Sequence, residues 1–243
     1  MEWFLANSGM VLERAGQHLV LALVPLVLGL VVSIPLAQLA LQNRTLRSVV
    51  LTASSLLYTI PSLALFIILP TILGTRILDP LNVVVALTIY AVALLVRAAL
   101  DAFDSVDAEV SQAAVAMGYR PVARFLQVDL PLSLPVLFAG LRVVSVSNIS
   151  LVSVAALLGV GNLGMLFTSG LQRDFVTEVV VGIIAILVLA LAMDSLLVLL
   201  ERLLTPWERA GKGRGPRPPA DGDGASATSA RLPARSGTGE GLT

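Results

Sequence analysis

The sequence predicts an all-α polytopic membrane protein, a five-span helical bundle, and three observations carry that prediction. Of 243 residues, 56% are hydrophobic and 13% charged, with a mean hydropathy of +0.90, whereas about a quarter of the residues in a soluble domain are charged. Five apolar runs, about 19–41, 49–73, 81–100, 134–158 and 179–203, reach the roughly 20 residues a helix needs to cross a bilayer. None of them alternates apolar with polar residues as a barrel strand in lipid must, so the spans are helices.

Residues 1–18 read as an extracytoplasmic N-terminal segment. The first apolar run starts near Leu19 with no basic leader directly before it and is too long for a signal-peptide core, so it reads as a permanent span. His18, the one histidine, stands where that span begins, a place explained better by an interfacial or helix-entry role than by catalysis. Pro25 and Pro35 fall in the first span, Pro61 and Pro70 in the second. Each removes a backbone donor and bends its helix, and kinked helices can line a pathway. In the third span, Arg97 reads as snorkelling to headgroups or pairing with Asp101 one turn on rather than touching solute. The fourth span precedes the glycine-rich stretch "GVGNLG". Asp194, inside the fifth, is costly in lipid unless partnered; a functional role and a hydrogen bond to a neighbouring span both remain open. The tail, 205–243, is rich in Gly, Pro, Ala and Ser and reads as disordered and cytoplasmic.

Basic residues set the orientation, since short cytoplasmic loops collect Lys and Arg. With the amino terminus outside, the inner side receives Arg44, Arg47, Arg97, Arg120, Arg124, Arg142, Arg202, Arg209, Lys212, Arg214 and Arg217, and the outer side only Arg14, Arg76 and Arg173. The expectation is amino terminus out, carboxyl terminus in, within a cell membrane.

Between the third and fourth spans lies an insert, 101–133, containing "AEVSQAAVAMGYRPVARFLQVDLPLSLP". Val106, Val110, Ala113 and Met117 form an apolar stripe at helical spacing. Gly118 is placed to end that helix in a left-handed conformation, and Pro121 suits the first turn of a second one. The pattern predicts helix, sharp turn, helix. A hairpin that merely caps the bundle would have the same periodicity.

The residues Gln112, Ala113, Ala114, Gly118, Val128, Leu130 and Pro131 match, at its spacing, the EAA loop that couples ABC-importer permeases to their ATPases. The sequence departs from that pattern at Gln112, which stands in place of glutamate, although glutamine can still hydrogen-bond and Glu109 lies one turn away. "YTIPSLALF", "GVGNLG" and "LAMDSLLVLLERLL" resemble the permeases for glycine betaine, choline, carnitine and related osmoprotectants. The chain is thereby identified as resembling the osmoprotectant branch of the inner-membrane components of binding-protein-dependent transport systems.

That resemblance implies a transport subunit of a bacterial cell membrane. It pairs with a second permease copy or a sister permease, docks two ATPase subunits and receives solute from an extracytoplasmic binding protein. Residues 101–133 become the coupling loop, with Glu109, Gln112, Ala113, Ala114, Gly118 and Arg120 as ATPase contacts. Tyr58, Pro61, Ser62, Gly159, Gly161 and Asp194 become candidates for the pathway or its gate. An amino acid such as methionine is the alternative cargo, and a secondary transporter the rival class.

The sequence carries no loop of the form G-x-x-x-x-G-K-[ST], so ATP and Mg belong to the partner ATPase and no cofactor is expected in this chain. It has no cysteine and no cluster with metal-ligand spacing, so neither an enzyme nor a metal site is expected. Tyr58, Phe66, Tyr90 and Phe138 are the aromatic residues within the expected spans, and nothing in their spacing gathers them into a cage for a quaternary amine. Solute recognition is therefore expected to reside mainly in the binding protein.

Overall fold

The computed structural model describes residues 2–207. Ten α-helices form the described chain: α1 (Glu2–Ala6), α2 (Ser8–Leu41), α3 (Arg44–Thr59), α4 (Ser62–Leu73), α5 (Pro80–Asp104), α6 (Ala108–Ala116), α7 (Pro121–Arg124), α8 (Leu130–Val154), α9 (Met165–Gln172) and α10 (Val176–Leu204). A π-helical turn, Phe125–Asp129, joins α7 to α8, and a 3-10 turn, Ala155–Leu158, ends α8. By contacts the chain divides into Met1–Pro206 and Trp207–Thr243, and α1 to α10 lie in the first. The expected disordered tail, with Arg209, Lys212, Arg214 and Arg217, falls from 208 onward outside the described residues.

Four helical stretches are long and apolar enough to cross a membrane: Ser8–Leu41, Pro80–Asp104, Pro121–Leu158 and Val176–Leu204. The fifth expected span is a pair, α3 and α4, bent by 99° at the break between them. Proline explains the break. Ile60 precedes Pro61 and takes an extended conformation, φ −64° and ψ 128°, because the proline ring disfavours a helical residue before it. Pro61 then heads α4 at φ −60°, where its missing N–H leaves no hydrogen bond unmade. The continuous span 49–73 is thus corrected to two half-helices meeting nearly at right angles.

The first span also begins earlier than the apolar run suggests. α2 starts at Ser8, so residues 8–18, read as part of an extracytoplasmic segment, are the opening turns of the same helix. His18 is fully buried there rather than interfacial, and its Nε2 donates to the Ile149 carbonyl at 2.9 Å. Asp79 caps α5 by accepting from the Leu81 N–H at 2.9 Å, with Pro80 in the first turn.

α5 is the centre of the bundle. It is the most enclosed of the long helices, 56% of its most apolar window being buried against 11% for α10, and α2, α3, α4 and α8 all pack against it. Small residues set the distances. A Cβ on Gly29 would lie 2.6 Å from the Ala91 Cβ, and one on Gly140 would lie 2.4 Å from the Ala98 Cβ, so α2 and α8 each touch α5 through glycine on alanine. In lipid, where apolar burial drives little association, such close approach supplies the dispersion contact that holds helices together. Leu26, Phe66, Leu87, Tyr90, Leu95 and Ile149 fill the core around this contact.

The two ends of the bundle differ. At one, α2 ends, α3 begins and α5 ends, and Arg47 forms an ion pair with Asp104; the insert α6–α7 continues from there. At the other, the loop 159–164 after α8 lies against the start of α2, so that a Cβ on Gly161 would meet the Arg14 and Gln17 side chains.

Candidate functional site

The insert is built by local rules. Asp107 caps α6 by accepting from the Glu109 N–H at 2.8 Å. At the other end Gly118 adopts φ +86°. Its N–H reaches the Val115 carbonyl at 2.9 Å while that of Tyr119 reaches Ala114 at 3.1 Å, the paired hydrogen bonds of a Schellman stop. Arg120 is extended, and Pro121 opens α7 as expected.

A carboxylate missed in the sequence locks this hairpin. Asp129 accepts from the Ser111 hydroxyl of α6 at 2.7 Å and from Arg124 Nε of α7 at 3.0 Å. One side chain at the head of α8 therefore holds both helices of the insert. Its signal was present in "VDLP", but spacing alone does not reveal which carboxylates turn inward.

Glu109, Gln112, Ala113, Gly118 and Arg120 are all exposed on this hairpin, where a partner can reach them. Ala114 is not: it is 1% exposed, packed where α6 meets the chain's own following turns. The apolar stripe turns the opposite way from a bundle-facing one. Val110 and Met117 are exposed, at 42% and 72%, Ala113 is exposed as well, and Val106 lies ahead of the helix. The hairpin therefore presents apolar surface outward rather than toward the bundle.

The pathway candidates separate into three sets of contacts. Tyr58, Pro61 and Ser62 share the bend between α3 and α4. There Tyr58 packs edge to face on Tyr90 with ring centroids 5.8 Å apart, and the Tyr90 hydroxyl donates to the Ile60 carbonyl at 2.6 Å. Two aromatic residues that sequence spacing left apart are thus neighbours at the break. Gly159 and Gly161 belong to the loop after α8. Gly159 takes φ +83°, and Asn162 folds the loop on itself, donating to Val160 O at 2.8 Å and accepting from Gly164 N at 2.7 Å.

Asp194 forms the third set. Arg142 of α8 grips it with both arms, Nε to Oδ1 at 2.6 Å and Nη2 to Oδ2 at 2.8 Å. Of the two readings left open for Asp194, the geometry supports the bond to a neighbouring span. Arg97 does not pair with Asp101; its Nη2 donates to the Ser55 hydroxyl of α3 at 3.0 Å.

A bundle of tightly packed apolar helices, one of them broken, with a capped helical hairpin exposed at one end, defines a multi-pass helical membrane protein. The chain belongs to the family of binding-protein-dependent transport system inner membrane components, which matches residues 26–206. Among its relatives, the osmoprotectant import permease protein OsmW of Salmonella typhimurium is 33% identical over 85% of this chain and 97% of that protein. The choline transport system permease protein OpuBB of Bacillus subtilis is 26% identical over 85% of this chain and 94% of its own length. The carnitine transport permease protein OpuCB of Listeria monocytogenes is 29% identical over 84% and 92%. Solved structures share the fold. A chain of the inward-facing MetNI methionine ABC transporter superposes with a TM-score of 0.65 at 20% identity, over 81% of this chain and 95% of that one. A chain of an amino acid ABC transporter with histidines gives 0.68 at 15% identity, over 82% and 95%.

Proposed function

We propose that this chain is the permease subunit of an ABC importer for osmoprotectants such as glycine betaine, choline or carnitine. The observation that carries the reading is the near full-length similarity, at 26–33% identity, to permeases of osmoprotectant and choline transport. Two copies, or this chain and a sister permease, enclose the pathway. Two ATPase subunits, which hold ATP and Mg, dock on the hairpin, and an extracytoplasmic binding protein delivers solute. The excess of arginine on the hairpin side supports a cytoplasmic hairpin with the amino terminus outside. Glu109, Gln112, Ala113, Gly118 and Arg120 form the face offered to the ATPase; Ala114 shapes the hairpin from within. Nucleotide-driven closure of the ATPases pulls on α6 and, through Asp129, on α8, and rocking of the bundle opens the path.

The test is uptake of labelled glycine betaine into proteoliposomes holding this chain, its ATPase and its binding protein, with choline, carnitine, proline and methionine as competitors. Uptake is expected to require ATP and to be blocked by the quaternary amines. Block by methionine alone would move the cargo to an amino acid, and uptake indifferent to ATP would discard the importer.

A further inference from the structure

The larger cavity of the molecule, about 860 Å³ between α1, α2 and α10, is lined by Val11, Leu12, Val180, Ile184 and similar apolar groups and offers no charge to orient a polar solute. A smaller one does. Ser54, Ser55 and Tyr58 on α3, with Ala93, Leu94 and Arg97 on α5, line a half-open pocket of about 220 Å³, room for about seven waters at ~30 Å³ each. This space suits a small solute.

Arg97 is the unusual member. It lies inside an apolar helix long enough to span the membrane, where a charge is tolerated chiefly beside a partner or a water-filled space. The other cation described deep in a span, Arg142, is paired with Asp194, but among the described residues no carboxylate pairs with Arg97. Of its five N–H donors the structure assigns one, to Ser55. Ser54, though nearly buried, makes no side-chain hydrogen bond among the described residues, and neither does the hydroxyl of Tyr58, which is 45% exposed. A forked cation, a free hydroxyl and an aromatic ring thus meet around one small space with their bonding capacity unused.

A guanidinium recognises a carboxylate through two parallel hydrogen bonds, and an aromatic face attracts a quaternary ammonium. We propose that the Ser54, Ser55, Tyr58 and Arg97 cavity is a passing site for zwitterionic quaternary amines: Arg97 takes the carboxylate and the Tyr58 ring receives the ammonium. The inference rests on the osmoprotectant reading and narrows it. A solute that carries only the ammonium, such as choline, gains nothing from Arg97 and is repelled by its charge, so the permease itself favours betaines over simple cations.

The test compares uptake of labelled glycine betaine and of labelled choline by the reconstituted complex, with wild type, Arg97→Gln, Arg97→Lys and Tyr58→Leu. Co-purification with the ATPase confirms assembly of each variant. Arg97→Gln is expected to lower the ratio of betaine to choline uptake by about tenfold or more, the loss of one charge-assisted pair. Arg97→Lys, which keeps the charge without the fork, falls between. Tyr58→Leu lowers uptake of both amines. If Arg97→Gln fails to assemble, Arg97→Lys carries the same readout. A ratio equal to wild type in the assembled Arg97 variants, whatever the absolute rates, overturns the inference alone. A wild-type complex that imports neither solute overturns the osmoprotectant reading and this inference with it.

Discussion

Arg142 and Asp194 show what one pair of residues does in this setting. Their bidentate contact ties α10, which has little other burial, to α8. Asp194→Ala leaves the guanidinium without a counter-ion and is expected to cause a several-fold drop in the yield of monodisperse permease. The double variant Arg142→Leu with Asp194→Ala removes both charges and is expected to lose less, because an orphaned ion costs more than an absent pair. The exchange Arg142→Asp with Asp194→Arg should restore much of the yield. Size-exclusion profiles after extraction give the comparison, and a double variant worse than either single one would show that the residues act separately. The sequence made the cost of Asp194 plain but not its partner, because Arg142 looks like one more inward basic residue and only the packing of two distant helices brings them together. The same holds for Arg97, whose nearest acid along the helix, Asp101, is not where its guanidinium points.

At the scale of elements, turn chemistry was legible and direction was not. Gly118 and Pro121 specify the hairpin by residue type alone, and the structure has the left-handed stop and the proline-led helix they imply. Pro61 read as a bend, but an apolar run has the same composition whether its two halves continue or diverge by 99°. Which face of α6 packs inward was likewise hidden, since Ala113 and Ala114 are chemically equal and only tertiary contact buries the second. The stop at Gly118 is testable in isolation because nothing lies within 4 Å of a Cβ placed there, so a substitution there acts through backbone strain rather than collision. A left-handed residue with a side chain costs about 1–2 kcal/mol, a factor of roughly 5–30 in the population of the hairpin as built. Gly118→Val is expected to lower ATP-driven uptake on that scale while membrane insertion continues. Gly118→Asn, which tolerates this conformation, is expected to lose much less. Solute-stimulated ATP hydrolysis measured beside uptake identifies the lesion. Equal uptake by the valine variant and wild type would remove the hairpin from the coupling route.

For the whole molecule the decisive quantity is orientation, since a docking hairpin works only on the side where ATP is. The charge argument is one-sided: reversing the chain would export Arg44, Arg47, Arg97, Arg120, Arg124 and Arg142 together. The fold adds that the Arg47 and Asp104 pair joins the start of α3 to the end of α5, next to the hairpin that carries Arg120 and Arg124. The chain has no cysteine, so each introduced thiol reports alone. Val122 on the hairpin is 70% exposed, and Leu171 on α9, beyond the loop at the far end, is 81% exposed; both side chains lie clear of the core. A membrane-impermeant maleimide is expected to label Leu171→Cys in intact cells. In cells that lack the ATPase, so that nothing shields the hairpin, it is expected to label Val122→Cys only after the membrane is opened. Labelling of Val122→Cys from outside would place the hairpin away from ATP, and no contact made by Glu109, Gln112 or Arg120 would then couple transport to its hydrolysis.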